Sequence, residues 1–180
     1  EGIPGVDAVL VAIGRVPNVD GLTLEAAGLG ADNNGIPVDT WGRTSTKGIW
    51  AVGDVTLGSH QTHAANALGR RIIQRIALPW LPPTGRPPLI PSAVFSEPEV
   101  AWAGRTQAEI ARRYHPKAVT RIRIDFADQD RGLTDGVDRG FVCIDAIRLT
   151  GRIVAATVVG PNASELIAPL TLAITRGISL

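Results

Sequence analysis

The chain has 180 residues, of which 44% are hydrophobic and 19% charged, so it can bury a core and is not expected to be disordered. The 18 Lys and Arg residues nearly balance the 17 Asp and Glu residues and are scattered, which argues against a nucleic-acid-binding surface. No apolar run approaches the roughly 18 residues of a membrane span, and no signal-peptide pattern opens the chain. We therefore expect no membrane partner and a cytoplasmic location. A single cysteine excludes an internal disulfide and a cysteine-rich zinc site.

The beginning of the sequence suggests a piece of a longer protein. The sequence contains no methionine and begins with Glu1, whereas an intact translated chain begins with methionine. Residues 7–13 also open a strand-like run with no preceding partner. We therefore expect an interior or trimmed segment.

The first part of the chain has the pattern of an α/β fold. Residues 7–13 and 48–53 are short, nearly continuous apolar runs that end at glycine, and they predict two buried parallel strands. Between these runs, residues 22–29 predict one or two helical turns. Residues 36–39 predict a short strand after the Asn34-Gly35 turn.

A helix should follow the second apolar run. Ser59 is the predicted N-cap, and Pro79 should end the helix because proline fixes φ and lacks an N–H group. The inward face is predicted from residues at helical spacing: Ala65, Leu68, Ile72 and Ile76. Six prolines from residue 79 to residue 91 then predict a stiff connector between two folding units.

The second part of the chain predicts an α+β domain built on an antiparallel sheet. Residues 92–104 are strand-like, with an interruption at Glu97-Pro98, and residues 121–126 alternate between charged and apolar side chains. Residues 141–149 and 153–159 predict two strands joined at Thr150-Gly151, a hairpin signal. Cys143, inside the first of these strands, is expected to be a small core residue rather than a redox thiol.

Two helices are predicted in this second part. Thr106 and Glu109 have the spacing of a capping box, which should start a short helix to about residue 113. Asn162 and Glu165 have a similar spacing before a longer apolar helix, which Pro169 should bend or weaken. Gly177 is the expected C-terminal cap of that helix.

Three segments carry motifs that occur together in one family. Residues 10–18 read LVAIGRVPN, residues 44–54 have the form T-x6-A-x-G-D, and residues 91–106 read PSAVFSEPEVAWAGRT. In order and spacing they resemble the C-terminal half of the flavoprotein pyridine nucleotide-disulfide oxidoreductases, which include dihydrolipoamide dehydrogenase, glutathione reductase and mercuric reductase. The resemblance covers essentially the whole chain.

Gly53 and Asp54 are the first candidate cofactor-binding residues. A buried strand that ends in Gly-Asp places a carboxylate at the carboxyl end of a sheet, where open α/β sheets bind ligands. Gly53 allows close approach to the backbone, and Asp54 can accept hydrogen bonds from polyol hydroxyls. The resemblance implies that Asp54 binds the ribityl chain of FAD. The alternative is that the pair only ends a strand.

The resemblance implies a second group of cofactor-binding residues at the following helix start. Residues His60, Gln61, Thr62 and His63 would face the flavin pyrimidine ring, where free N–H groups and the helix dipole favour negative charge. The implied role is that of the backbone, since relatives often have an apolar residue in place of Gln61. A metal site at the two histidines is not expected, because no Cys, Asp or Glu is close by.

A nicotinamide cofactor, NAD or NADP, is also implied. Gly14 would approach this cofactor, unless the glycine is needed only for the turn.

No catalytic residue is predicted in the chain, because the family's C-x4-C pair and both of its GxGxxG motifs are absent and its His-Glu pair would lie beyond Leu180. We therefore expect the longer protein to pass electrons from NAD(P)H through FAD to a disulfide or another small-molecule acceptor, and this chain alone to be inactive.

The resemblance divides the chain into three parts. Residues 1–20 would be the tail of a nicotinamide-binding domain, residues 21–84 an FAD-contacting central segment, and residues 90–180 a domain through which a homodimer forms. The expected fold is an α/β remnant of FAD/NAD(P)-binding domains followed by an α+β interface domain with an antiparallel sheet. A competing interpretation is a non-enzymatic, self-associating module.

Overall fold

The computed structural model describes residues 5–32, 34–56, 61–80, 89–137 and 139–180. The chain divides into two compact units, residues 1–84 and 85–180. This division falls within the proline-rich stretch that predicts a connector, although residues 81–88 lie outside the described residues.

The first unit has little regular structure apart from one long helix. A 3₁₀ turn, Leu24–Ala27, ends at Gly28, whose positive φ closes the turn. Helix α1, Thr62–Ala77, buries Ile72. It ends two residues before Pro79, as the sequence predicts, because proline disfavours helical geometry in the residue that precedes it.

The prediction of strands in the first unit is wrong. Residues 7–13 form no strand pair with other described residues, and Leu10 and Ile13 are 90% and 94% exposed. In residues 48–53 and 36–39 only single bridges form, at Trp50 and Ile36. A strand needs a neighbouring strand to take up its hydrogen bonds, and no described segment runs beside residues 7–13.

The helix prediction was confirmed in its type and its C-terminal end. The predicted N-cap, Ser59, lies outside the described residues, and the residue that flanks the first turn is Gln61. Of the predicted inward face, Ile72 is buried, Ala65 and Leu68 are half-buried, and Ile76 is exposed.

The second unit is the predicted antiparallel sheet with helices. Its five strands lie in the order β1-β2-β5-β4-β3 and every neighbouring pair is antiparallel. The strands are β1 Ser92–Val94, β2 Val100–Gly104, β3 Val119–Asp125, β4 Phe141–Ile147 and β5 Ile153–Val159. The helices are α2 Gln107–Arg113, α3 Asp130–Thr134 and α4 Ala163–Arg176. The hairpin between β4 and β5 is confirmed; the short helix α3 was not predicted.

Helix α4 covers one face of the sheet. The core beneath it consists mainly of small side chains, which let the helix approach the strands closely: Ala101, Ala103, Ala156, Val158, Ala163 and Ile167. The strand register places Trp102, Thr157, Cys143 and Arg123 in one row across the opposite face. Cys143 is half-buried there, and burial raises the pKa of its thiol, which agrees with a structural rather than a reactive cysteine.

The capping box at helix α2 is confirmed. The Thr106 backbone N–H donates to Glu109 Oε2 at 2.8 Å, and the Glu109 N–H donates to Thr106 Oγ1 at 3.3 Å. Gly177 also caps α4 as predicted, with a φ of 68°.

The capping box predicted at the start of α4 is wrong. Asn162 has a φ of 55° and its side chain makes no cap hydrogen bond. Glu99, which precedes β2, takes this role instead: its Oε2 accepts from the Ser164 N–H at 3.0 Å and from the Ser164 hydroxyl at 2.9 Å. The helix then continues through Pro169 to Arg176.

The tertiary cap makes the start of α4 sensitive to pH. Hydrogen bonds from Ser164 hold the pKa of Glu99 below its ordinary value of 4.5. Because the folded-state pKa is lowered, the stabilisation is complete above pH 4.5 and is lost as pH falls through the folded-state pKa. We expect Glu99→Gln to speed amide hydrogen exchange at Ser164 near neutral pH, and wild type to approach the variant in acid. Glu165→Gln, in the same turn, is the control; equal effects of both substitutions would contradict the tertiary cap.

Candidate functional site

The Gly53-Asp54 motif forms a closed turn in the first unit. Gly53 has a φ of 85°, and its carbonyl accepts from the Thr56 N–H at 3.0 Å and from the Thr56 hydroxyl at 2.8 Å. Thr56 is buried, and the Ile36 N–H donates to the Val55 carbonyl at 2.8 Å, so the turn is anchored to the segment that contains Ile36. The turn thus presents a fixed backbone with the Asp54 side chain outside it.

The Asp54 carboxylate lies on the surface beside an arginine. Its Oδ2 is 3.8 Å from Arg15 Nη1, and the two side chains are 61% and 67% exposed. An exposed pair of this kind contributes only about 0–1 kcal/mol to stability. A carboxylate accepts hydrogen bonds, and the exposed side chain of Asp54 can be reached by the hydroxyls of a bound polyol. Arg15 was not identified as a site residue from the sequence, although it follows Gly14 in the motif of residues 10–18.

The start of α1 lies against the same turn. A Cβ added to Gly53 would stand 3.6 Å from Ala65 Cβ in the first turns of the helix, so these two sequence-predicted groups are brought together. Gly14 has a φ of 144° and open space beside its Cα, and the residue that follows it, Arg15, lies next to Asp54. His60 lies outside the described residues.

The first turn of α1 is suited to an electron-rich ligand. Gln61 is extended at the N-cap, its side chain makes no cap hydrogen bond, and the first turn contains no acidic residue. The first N–H groups of any helix lack acceptors within the helix, and the dipole makes this end positive. The exposed side chains of Thr62 and His63 flank this position.

A buried side-chain atom at this position lacks a partner. Gln61 Oε1 is buried and accepts no hydrogen bond from any described residue. A buried acceptor without a donor is costly, so a bound group with an N–H donor at this position would stabilise it. The flavin pyrimidine ring has such a donor, and the described residues therefore fit FAD at this turn. The side chain of Gln61, and not only its backbone, is therefore a candidate contact for the flavin.

Two further observations bear on other classes of ligand. Within the described residues, no three His, Cys, Asp or Glu side chains group as metal ligands. Nor does any helix in the described part of the chain have the length and apolar composition that a membrane span requires.

Comparison with known proteins identifies the family. A family model described as the dimerisation domain of pyridine nucleotide-disulphide oxidoreductases matches residues 90–180, and one described as pyridine nucleotide-disulphide oxidoreductase matches residues 4–70. The chain belongs to the pyridine nucleotide-disulphide oxidoreductase family. This result confirms the resemblance and the fold class expected from the three sequence motifs.

Curated relatives and solved structures agree with this assignment. The dihydrolipoyl dehydrogenases of Cupriavidus necator and Halobacterium salinarum are each 36% identical and match 93% and 97% of this chain. The crystal structure of LpdA from Mycobacterium tuberculosis matches 93% of the chain with a TM-score of 0.81 and 34% identity, covering 36% of LpdA. The flavoprotein disulfide reductase RclA from Escherichia coli matches 96% of the chain with a TM-score of 0.78 and 27% identity, covering 40% of RclA. The chain covers 35% and 36% of the two dehydrogenases, about a third of their length.

Proposed function

We propose that this chain is part of an FAD-dependent oxidoreductase that passes electrons from NADH or NADPH through the flavin to a disulfide or another small-molecule acceptor. The observation that carries the proposal is the arrangement of the Gly53-Asp54 turn against the start of α1, with an exposed carboxylate on one side and an unpartnered buried acceptor, Gln61 Oε1, on the other. Family membership supports the same conclusion.

Bound FAD would supply the redox chemistry, which none of the side chains predicted at this site can perform. The described residues would bind the cofactor and orient it. Asp54 would accept hydrogen bonds from the ribityl hydroxyls, Gln61 Oε1 would accept an N–H of the pyrimidine ring, and the first N–H groups of α1 would favour negative charge nearby. Gly14 would lie near the nicotinamide cofactor. The chain alone would have no reductase turnover, since its sequence has one cysteine and no GxGxxG motif.

We propose the same division of the chain into three parts that the sequence motifs imply. Residues 1–20 would complete a nicotinamide-binding domain, residues 21–84 would contact FAD, and residues 90–180 would form the dimer interface. A cytoplasmic location stays a prediction. The competing interpretation, a non-enzymatic module, gains no additional support, because the family match also includes residues 4–70.

We expect Asp54→Ala to weaken FAD retention by about ten- to a hundredfold in the full-length protein, since a hydrogen bond to a charged acceptor contributes about 1.5–3 kcal/mol. Folding should be little affected, because the Asp54–Arg15 pair is exposed. The measurement is flavin absorbance per protein after exhaustive dialysis. Asp20→Ala, in another exposed turn of the same unit, is the control. Equal flavin content in Asp54→Ala and wild type would count against the assigned role.

We also expect the chain to self-associate with two-fold symmetry through residues 90–180. The match to a dimerisation domain supports this expectation, as do large exposed apolar side chains in the second unit, among them Phe95, Trp102 and Leu172. In the longer protein the interface should exceed roughly 2,000 Å² of buried surface. Light scattering over a range of concentrations tests this. A mass that stays at 18.9 kDa at high concentration would refute self-association.

A further inference from the structure

A polar cleft of about 470 Å³ lies within the second unit, at the end of the sheet where β2 finishes and β5 begins. Three of its lining residues are arginines, and each comes from a different element. Arg105 directly follows β2, Arg113 is the last residue of α2, and Arg152 directly precedes β5. The fold therefore brings three cations to one concave surface from positions up to 47 residues apart in the sequence.

Two of these arginines lack the carboxylate partner that three other arginines of the sheet domain have. Arg121, Arg123 and Arg131 each hold an aspartate at 2.6–2.8 Å. In contrast, the side chains of Arg113 and Arg152 have neither a hydrogen bond nor an ion pair with any described residue. The positive charges of Arg113 and Arg152 therefore have no ion-pair partner among the described residues.

The single carboxylate in the cleft is already engaged. Glu109 Oε2 accepts from the Thr106 N–H at 2.8 Å and from the Thr106 hydroxyl at 3.0 Å, as the cap of α2. These hydrogen bonds, with smaller contributions from Arg105 and Arg112, hold the pKa of Glu109 below its ordinary value. The lining thus contains three cations and one anion, which gives an excess of two positive charges.

Backbone hydrogen bonds fix the positions of two of the arginines, Arg105 and Arg152. The Arg105 N–H donates to the Val154 carbonyl at 3.0 Å, and Arg152 pairs with Ser179 in an antiparallel bridge. A Cβ added to Gly177 would stand 3.4 Å from Arg152 Nε, so the side chain of Arg152 lies over the end of α4. Leu89 and Ile174, which also pack against the core, give the cleft an apolar portion.

We propose that this cleft binds a small phosphate monoester. Arginine presents donors in a planar fork that matches phosphate oxygens, and three arginines around one cleft suit a ligand whose negative charge is concentrated on a single group. A phosphate monoester carries a charge of about −1.5 to −2 at neutral pH, which matches the excess of two positive charges. The volume is in the range of small-molecule sites, and the apolar portion would contact the organic part of the ligand.

The test is an NMR titration of the whole chain with phenyl phosphate at constant ionic strength, with inorganic phosphate, succinate and phenol as comparison ligands. We expect saturable shifts of the backbone amides of Arg105, Arg113 and Arg152, with phenyl phosphate binding more tightly than the three comparison ligands. The double variant Arg113→Gln/Arg152→Gln should bind at least tenfold more weakly. Both side chains are exposed, so the variant should fold normally, and the unchanged amide spectrum of β4 verifies this.

The control is Arg139→Gln, which removes one positive charge at an exposed residue just before β4, at the end of the sheet opposite the cleft. It should leave the affinity within about twofold of wild type, since exposed charges outside a contact are screened by salt. Equal weakening by Arg139→Gln and by Arg113→Gln would overturn the proposal in favour of diffuse attraction. Succinate or free phosphate binding as tightly as phenyl phosphate would overturn the assigned ligand class, and the absence of saturable shifts at the cleft amides would overturn the site itself.

Discussion

Replacing Ile167 by alanine should lower the free energy of unfolding of the second unit by about 2–5 kcal/mol. Ile167 is 1% exposed and lies where α4 meets β2 and β5. Most of its buried neighbours are alanines, whose side chains have no rotamers with which to fill a cavity. The substitution should therefore leave a cavity with little relaxation around it. Hydrogen exchange of the amides in β2 and β5 measures the effect in this unit alone.

The adjacent residue provides the control. Leu166 lies on the same helix but is 43% exposed, so Leu166→Ala removes less buried surface and should cost about 1 kcal/mol or less. Equal losses for the two substitutions would mean that α4 does not pack on the sheet as described. A loss for Ile167→Ala below that of Leu166→Ala would contradict the position of the core.

Local patterns predicted the second unit well. The capping box at Thr106, the hairpin at Thr150-Gly151 and the cap at Gly177 each depend on residues within a few positions of one another, and the structure confirms all three. The alternation in residues 121–126 likewise placed β3, although Phe126 already belongs to the following 3₁₀ turn. Interactions of this range are visible in a sequence because their geometry is set by the local backbone.

Interactions between distant residues were not predictable in the same way. Asn162 has a residue type typical of an N-cap, yet Glu99 caps the helix from 65 positions away. Nothing in the sequence near either residue indicates this pairing. The same limitation explains residues 7–13, whose apolar character is typical of a buried strand although no described segment pairs with them. Residue character alone does not specify a partner.

The candidate site was predictable in part. Gly53 and Asp54 were identified from one motif, and the structure places Gly53 beside the first turns of α1. Arg15 was missed, although it stands in the motif of residues 10–18, because its proximity to Asp54 depends on how two distant segments fold together. The unpartnered atom of Gln61 was also unpredictable, since burial of one oxygen is a property of the packed structure.

Substitution of Arg121 by alanine should destabilise the second unit by about 3–5 kcal/mol, more than substitution of its partner Asp145. Asp145 is 6% exposed, and its oxygens accept from Arg121 Nε at 2.8 Å, Arg121 Nη2 at 2.9 Å and Gln107 Nε2 at 2.8 Å. These bonds join β3, β4 and α2 through one carboxylate. Removing Arg121 leaves a buried negative charge with Gln107 as its one remaining side-chain donor among the described residues, which is costly.

The two partners differ in exposure, and this difference makes the prediction specific. The side chain of Arg121 is 50% exposed, so in Asp145→Ala it can be hydrated, and we expect a smaller loss of about 2 kcal/mol. The control is Arg123→Ala, also on β3. Its partner Asp125 is 42% exposed, so the ion pair contributes about 1 kcal/mol or less, and the contact of Arg123 with the Phe141 ring adds about 0.5–1 kcal/mol. The loss should therefore stay below that of Arg121→Ala. Hydrogen exchange of the β4 amides measures the loss of stability in all three variants. A loss for Asp145→Ala that exceeds that for Arg121→Ala would show that the buried carboxylate is not the energetic centre of this network, since the order of the two effects follows directly from which charge is shielded from water.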